Sequence, residues 1–464
     1  MKNVFDTINK TQNNFKNYTV KDIEICGNCF KTNNLLIHGD CISVCDYLLN
    51  NGIKVDLVYI DPPFCSGKNY GKKMRIRRNP LGHNKENTKY LLDYVLYGDK
   101  KTKEEYLQWM YDNLMAIKSI MSDNASIYVH LDHHICHYVK ILLDEIFGEE
   151  NFVNEIIWSY RSGGASKSEA LPQKHDVIFL YKNGDENVIN NKIERQYLDK
   201  PFMDTKIDKD GKYYVDTILR DVLEGTPFII NKDKIEQYNM RPVLNLSKER
   251  LDYATQKPEG LLKILIEIAS NEGMVIADFF GGSGVTAKVA NDLKRNFISC
   301  DIGINSIQTT RDRLVSKNAP FLIKEIDNGT LEKHKKIDDI EVEISFNEAN
   351  FISPYTIKIK SIKDTDLRNR IETYNKRHIA SPIKISNEGL ELISFVSLDC
   401  SNYNGVWVSD EEIKISKDGY TMVNGKETKT FWNGTILSFD EPLRIKVRDI
   451  IGNEIIYILK KING

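Results

Sequence analysis

MVIADFFGGSGVTA, residues 274–287, runs from an apolar segment through a glycine-rich turn into a stretch of helical composition. An apolar run ending on a carboxylate, then a glycine turn, then a helix is the strand–turn–helix unit of an α/β sheet. Glycines at 281, 282 and 284 let the backbone turn tightly and approach a ligand. Asp301, at the end of the next apolar strand FISCDI (297–302), can accept hydrogen bonds from ribose hydroxyls. The pair reads as a nucleoside-cofactor site. A plain tight turn has the same look in isolation, and the glycine spacing differs from the dinucleotide fingerprint.

Working outward, LLIHGD (35–40), VDLVYID (55–61), ASIYVHLD (125–132), FVNEIIWSY (152–160) and HDVIFLYK (175–182) read as strands. Helical spacings lie between them at Ile42, Cys45, Leu48 and Leu49, at Leu107, Met110, Leu114, Ile117 and Met121, and around Val139, Leu142, Leu143 and Ile146. Strands alternating with helices predict a mostly parallel sheet covered on both faces. Residues 65–103 read as a long polar loop, and residues 183–250, polar and rich in Tyr and Lys, interrupt the alternation as an insertion. The alternation resumes with a helix at Leu261, Ile264, Leu265 and Ile268. Beyond residue 330, alternation at Ile340, Val342, Ile344 and Phe346, with the turn pairs Asp418-Gly419 and Asn424-Gly425, predicts a separate β-rich domain. The expected division is 1–182 with 251–324 as the α/β domain, 183–250 as the insertion and 325–464 as the β-rich domain.

The chain's 464 residues allow two or three domains, and 41% hydrophobic with 28% charged residues excludes a disordered or fibrous chain. Lys+Arg 64 against Asp+Glu 66 leaves nucleic-acid binding to local basic patches. Eight cysteines are too few for a disulfide framework, and the N-terminal MKNVFDTINKTQNN is too polar for a signal peptide. The apolar run LLKILIEIA (261–269) is far short of the roughly 18 residues of a membrane span. A cytoplasmic chain with no membrane segment is expected. Cys26-x-x-Cys29 with Cys41 and Cys45 raises zinc. Cys41 and Cys45 share a helix, and no metal is expected. His130, His133, His134 and His137 read as structural or cleft-lining residues, and Trp158 as core or, alternatively, as lining a base pocket.

Asp61-Pro62-Pro63-Phe64 ends the buried strand VDLVYI, where ligands sit in open α/β sheets. Two prolines cannot continue a central strand, and they fix a turn without competing N–H donors. A carboxylate, a rigid carbonyl and an aromatic face are presented together, a set able to grip a planar base bearing an amino group. Asp61 and the Pro62 carbonyl would accept its N–H hydrogens while Phe64 stacks on the ring. The tetrapeptide alone is also compatible with a structural turn around a buried Phe.

With both motifs in this order, the chain resembles the S-adenosylmethionine-dependent amino-DNA methyltransferases in the permuted arrangement called the β class, which includes type III modification subunits. The resemblance rests on LLIHGD, VDLVYIDPPF, SIYVHLD, HDVIFLYK, TQKPEGLL, ADFFGGSGVTA and FISCDI, and covers roughly residues 33–317 less the insertion. It implies a Rossmann-like, seven-stranded, mostly parallel sheet with one antiparallel strand, a target-recognition insertion and the β-rich C-terminal domain. It implies S-adenosylmethionine as cofactor, with Phe280, Gly282 and Gly284 in the cofactor turn, Asp278 beside the methionine part and Asp301 on the ribose. Thr255, Gln256, Lys257 and Pro258 would lie near the amino-acid end, and Asp40 with Cys41 would flank the adenine. Asp61, Pro62, Pro63 and Phe64 would form the catalytic turn. Phe64 stands where Tyr is commoner in the family, and Asp-Phe-Phe (278–280) where Asp-Pro-Phe is commoner; stacking needs no hydroxyl.

Asp as the first residue of the turn is, in this family, more typical of adenine N6 than of cytosine N4. The expected partner is double-stranded DNA with its target base flipped out. Lys72, Lys73, Arg75, Arg77 and Arg78 after the catalytic turn, and Arg161, Lys167 and Lys174 in the Ser/Gly-rich loop, are candidate phosphate contacts; a solvated basic loop reads the same way. A homodimer and a restriction subunit stay open as partners. Two rivals are a non-catalytic specificity partner of the same fold and a fused nuclease, and residues 325–464 carry no nuclease signature.

Overall fold

The computed structural model describes residues 17–27, 32–65, 69–76, 90–98, 101–160, 171–231, 234–244, 247, 249–251, 253, 255–331, 336–346, 353–377, 382–401 and 405–459, with backbone only for 69–75 and 90–98. Eleven strands form one large sheet. Numbered along the chain, they are β1 (Thr19–Cys26), β2 (Leu35–Gly39), β3 (Val55–Ile60), β4 (Met121–Leu131), β5 (Phe152–Ser159), β6 (His175–Lys182), β7 (Val222–Glu224), β8 (Val275–Asp278), β9 (Asn296–Asp301), β10 (Phe321–Asp327) and β11 (Trp407–Val408). Across the sheet the order is β7-β5-β6-β4-β3-β8-β9-β2-β10-β1-β11. β6 is antiparallel to both its neighbours, β1 is antiparallel to β10, and the other pairs are parallel.

The expected seven strands with one reversed form the contiguous block β5 to β2, but the sheet does not stop there. β7 extends one edge and β10, β1 and β11 the other. β7 and β11 are three and two residues long, too short for periodicity to register, and β1 is exposed over its first five residues.

Both faces are covered. Val58 and Ile60 of β3 pack into one core with α1 (Cys41–Asn50), α2 (Lys103–Ile120) and α3 (Cys136–Phe147). Leu57 and Tyr59 point the other way, into a core with α4 (Glu259–Ala269), α5 (Val285–Asp292) and α6 (Ile304–Val315). Burial on both faces explains why β3 reads as an apolar run from Leu57 to Ile60. Local signals set the helix starts. Asp40 caps α1 by accepting from Ser43 N at 3.1 Å, and Thr102 with Glu105 forms a reciprocal capping box on α2.

One segment expected to be a loop is a hairpin, and the expected insertion contains a sheet of its own. Residues 69–75 and 90–98 pair as an antiparallel hairpin, where a long loop was expected; register shifts at Tyr70/Gly71 and Met74/Arg75 break the alternation. Within 183–250, residues 193–198, 206–207, 213–218, 228–231 and 234–237 form a five-stranded antiparallel sheet of short, partly exposed strands.

The C-terminal region holds a three-stranded and a six-stranded sheet packed on a shared core that includes Ile357, Ile359, Val396, Ile413 and Val447. Asn424 and Gly425 take φ of 47° and 78°, the left-handed pair of a tight hairpin turn. This region is not separate from the α/β layer. The boundary expected after residue 324 falls inside β10, and β11 pairs with β1. A buried ion network crosses the junction: Arg311 of α6 donates to Glu24 of β1 at 2.6 Å and to Glu412 at 2.5 Å. Lys446 reaches Glu24 at 2.8 Å, and Arg448 and Lys414 reach Asp312 at 3.0 and 3.1 Å. Sequence periodicity carries no sign of charges paired across such distances.

Burial alone would raise the Glu24 carboxyl, but Arg311 and Lys446 hold it down to about 2. Removing one member of such a network leaves a buried charge without its partner. Glu24→Ala is expected to destabilise the fold by about 3 kcal/mol or more in denaturant unfolding. Since the folded value lies below the ordinary carboxylate value, Glu24's contribution is present above about pH 4.5 and lost as pH falls towards 2. The variant should therefore lose part of the acid sensitivity of the native chain.

Candidate functional site

β2, β9, β8 and β3 are consecutive and parallel, so their carboxyl ends share one edge of the sheet. Each ends at an aspartate: Asp40, Asp301, Asp278 and Asp61. All four line one cavity of about 450 Å³.

Each carboxylate is met differently. Asp40 accepts from Ser43 N at the start of α1 and from Asn328 Nδ2 at 2.7 Å. Asp301 accepts from Gly282 N at 2.8 Å and Gly303 N at 2.7 Å, and from the Ser306 side chain. Asp278 accepts from Thr286 Oγ1 at 2.6 Å and Phe280 N at 3.0 Å. Burial pushes the Asp278 carboxyl up to about 7, with Asp61 and Asp301 adding to the shift against those two hydrogen bonds. Asp61 has a cation: Lys257 Nζ lies 2.5 Å from Oδ2. The other oxygen, Oδ1, is buried and has no hydrogen-bond partner among the described residues.

The glycine turn has a steric requirement. Gly284 holds φ of 72° at the start of α5, and a Cβ there would lie 2.5 Å from Thr310 Oγ1. Only glycine permits both the left-handed backbone and this approach to α6.

Behind the Asp61 turn lies a buried polar chain. Tyr59 Oη is 2.8 Å from His130 Nδ1, His130 Nε2 is 3.1 Å from Asp176 Oδ2, and Tyr160 donates to Asp176 Oδ1 at 3.1 Å. The Phe64 ring stacks on His130 with centroids 6.3 Å apart and planes at 24°, and Lys257 Nζ sits 5.3 Å from the Phe64 centroid. Trp158, buried as expected of a core residue, meets His130 edge-on at 5.6 Å and donates to Met240 O at 2.7 Å.

The cavity gathers Asp40, Cys41, Asp61, Pro63, Thr255, Lys257, Asp278, Phe280, Gly282 and Asp301 from five separate parts of the sequence. Pro62, Phe64, Gln256, Pro258 and Gly284 do not line it. The Gln256 side chain is spent on its own loop, donating to Glu249 O and accepting from Leu251 N. Pro258 stands at the N-cap of α4. Among the proposed DNA contacts, Arg77, Arg78, Arg161 and Lys167 lie outside the described residues, as do the side chains of Lys72, Lys73 and Arg75; Lys174 is partly buried. Cys29 also lies outside them, while Cys26, Cys41 and Cys45 are buried thiols.

Sequence reasoning missed Tyr59 and Trp109 as cavity walls. Tyr59 was legible as the residue two before Asp61, on the same face of the strand. Trp109, three residues after Tyr106 on α2, reaches Phe280 with centroids 5.6 Å apart, a contact no local pattern announces. Among the described residues, Asp132, His133 and His134 bring potential ligand atoms within 4.8 Å of one another, with His134 Nδ1 already donating to Asp132 at 2.7 Å. No helix among them is long and apolar enough to cross a membrane.

Residues 55–312, more than half of the chain, match the N6/N4 DNA methylase family model. The chain is similar to the type II methyltransferase M.EcaI of Enterobacter cloacae, 25% identical over 337 residues that cover 62% of this chain and 71% of that protein. It is also similar to the Mod subunit of the type III restriction-modification enzyme StyLTI of Salmonella typhimurium strain LT2, 24% identical over 62% of this chain and 55% of that one. A third relative, the DNA adenine methyltransferase YhdJ of Escherichia coli K12, is 22% identical over 68% of this chain and 96% of its own length. The chain thus spans little more than half of the StyLTI subunit and under three quarters of M.EcaI. The matched segment contains both the Asp61 turn and the glycine turn that meet in the cavity, and the chain belongs to the N6/N4 DNA methylase family, as a DNA methyltransferase related to the methylases of restriction-modification systems.

Proposed function

We propose that this chain transfers a methyl group from S-adenosylmethionine to adenine N6 at a specific site in double-stranded DNA, with the catalytic half preceding the cofactor half as in the permuted class. One observation carries the reading. Asp61 has one oxygen fixed by Lys257 and the other buried without a partner among the described residues, in the same cavity as the glycine turn. A buried acceptor without a donor is costly, and a ligand amino group satisfies it.

The residues present fit the cofactor. A cavity of about 450 Å³ is of ligand size, and its excess of carboxylates suits a sulfonium and an α-ammonium group. Asp301 would accept from the ribose, Asp40 and Cys41 would flank the adenine, and Asp278, Thr255 and Lys257 would face the methionine part. When bound, S-adenosylmethionine supplies the electrophilic methyl group.

The chain's own residues handle the base. An exocyclic amine is a poor nucleophile because its lone pair is delocalised into the ring. Asp61 Oδ1 and the Pro62 carbonyl accept its two N–H hydrogens, localise the lone pair and orient it, while Phe64 stacks on the ring. No thiol is needed, in keeping with burial that raises the thiols of Cys41, Cys45 and Cys300. Adenine is favoured over cytosine by Asp as the first residue of the turn and by the adenine-specific name of the Escherichia coli relative.

The five-stranded sheet within 183–250 is assigned target recognition. Beside it a cavity of about 660 Å³ is lined by Tyr160, Arg220, Phe228 and Arg241, a mixture of aromatic and guanidinium groups suited to nucleotides. The basic residues of 72–78 and 161–174 are assigned to phosphates, and the kinship with a Mod subunit makes a restriction subunit the partner to look for.

Three outcomes follow. Expressed in a host lacking DNA methylation, the chain should leave N6-methyladenine at one sequence motif in single-base sequencing; N4-methylcytosine there would reassign the base, and no modification would count against catalysis by the chain alone. Asp61→Ala should lower kcat by about a hundredfold or more while S-adenosylmethionine affinity stays within a few fold. The ionised Asp278 is the form that favours a cationic ligand, so affinity for S-adenosylmethionine should rise as pH passes upward through about 7. The rise is at most about tenfold per pH unit, and titration calorimetry should find it absent in Asp278→Asn.

A further inference from the structure

The geometry points to His130 as a positioning residue for methyl transfer: its imidazole is the fixed plate against which the Phe64 ring is set. This rests on the reading of Asp61–Phe64 as the methyl-transfer turn. Val129 pairs with Ile60 across β4 and β3, so His130 lies level with Asp61, and it is fully buried.

Its ring has no freedom. A carboxylate only accepts, so His130 Nε2 carries the hydrogen given to Asp176, and Nδ1 accepts the Tyr59 hydroxyl hydrogen. Burial works against the charge on Asp176, yet His130, Lys257 and Tyr160 together keep its carboxyl below the ordinary value. The edge-on contact with Trp158, planes at 82°, closes another side, and one ring face is stacked on Phe64 at 24°.

Phe64 needs such a support. It is only partly buried and is followed by Cys65 at φ of 55°, an uncommon conformation for a residue with a side chain. Its ring lies close to two groups fixed elsewhere, the His130 imidazole and the Lys257 ammonium. A tilt of that ring would misplace the target base relative to the methyl group without altering the cofactor's contacts, and small misplacements are expensive in rate.

A merely structural histidine is distinguished by two substitutions that separate the ring from its hydrogen bonds. His130→Gln keeps an N–H for Asp176 and an acceptor for Tyr59 but loses the plate. His130→Phe keeps a flat ring and leaves Asp176 and Tyr59 short of a partner. If His130 positions Phe64, His130→Gln lowers kcat by about tenfold to a hundredfold with unchanged S-adenosylmethionine affinity, and His130→Phe keeps the higher kcat despite the lower Tm. Tyr59→Phe, which frees one ring nitrogen at almost constant volume, should lower kcat several-fold and serves if His130→Phe does not fold. Activities that follow Tm, with Gln above Phe, or a kcat of His130→Gln within twofold of the native chain, overturn the role of His130 and leave the function standing. Absence of any methylation by the native chain overturns the function and this role with it.

Discussion

Four neighbouring parallel strands each deliver an aspartate to the same edge of the sheet, and the surrounding structure answers that crowding of negative charge. Adjacent strands lie about 4.8 Å apart, and the four carboxylates share one cavity. They are met by four different devices: a helix N-terminus for Asp40, two glycine N–H groups for Asp301, a carboxyl pushed up to about 7 for Asp278 and an ammonium for Asp61. Each device requires a particular local sequence. Gly282, whose N–H is given to Asp301, and Gly284 hold φ of 50° and 72°, which glycine adopts without strain, and Lys257 pairs with Oδ2 of an aspartate whose Oδ1 is buried. A cationic ligand relieves the same repulsion, so the cavity's electrostatics favour a sulfonium before any single contact is considered.

The junction with the C-terminal region obeys the same physics in a different place. Glu24, Glu412 and Asp312 are balanced by Arg311, Lys446, Arg448 and Lys414 in a setting where isolated charges would be costly. A network of this kind adds less net stability than a hydrophobic seam of equal size. It does fix one geometry: α6, whose first turn reaches the cavity through Ser306, is gripped at Arg311 and Asp312 by strands of the six-stranded sheet. The C-terminal sheets therefore brace the wall of the cavity that α6 forms, in addition to lending β11 to the large sheet.

How much of this was legible in the sequence follows from burial and distance. β3 and β8 were readable because burial on both faces makes Leu57–Ile60 and Val275–Ala277 apolar throughout, and the aspartates that follow stood out against that background. The hairpin at 69–75 and 90–98 was not, because bulges and lysines mask its alternation. The insertion's strands are short and partly exposed, so neither face writes a period. The Tyr59–His130–Asp176 chain was beyond local reading for another reason: it joins three strands across separations of 71 and 46 residues. His130 was assigned a structural or cleft-lining place from its strand-end position, and only the packing shows which ring it supports.

Strand order explains why the two sequence motifs act as one site. β2 and β3 are successive in the chain and joined by α1, yet they are not neighbours; β9 and β8 lie between them. The chain leaves a gap two strands wide and fills it more than two hundred residues later with the strands that carry the glycine turn and Asp301. The insertion and α4 lie on the connection back to that gap, and Lys257 lies just before α4, close enough to reach Asp61. A parallel sheet places all four strand ends at one edge, so filling the gap is what puts Asp61 beside Asp278. Neither half of the α/β layer has the whole cavity by itself. The pairing of Asp61 with Lys257 therefore forms only when both halves are folded together, and it leaves Oδ1 as the oxygen of Asp61 that has no hydrogen-bond partner among the described residues.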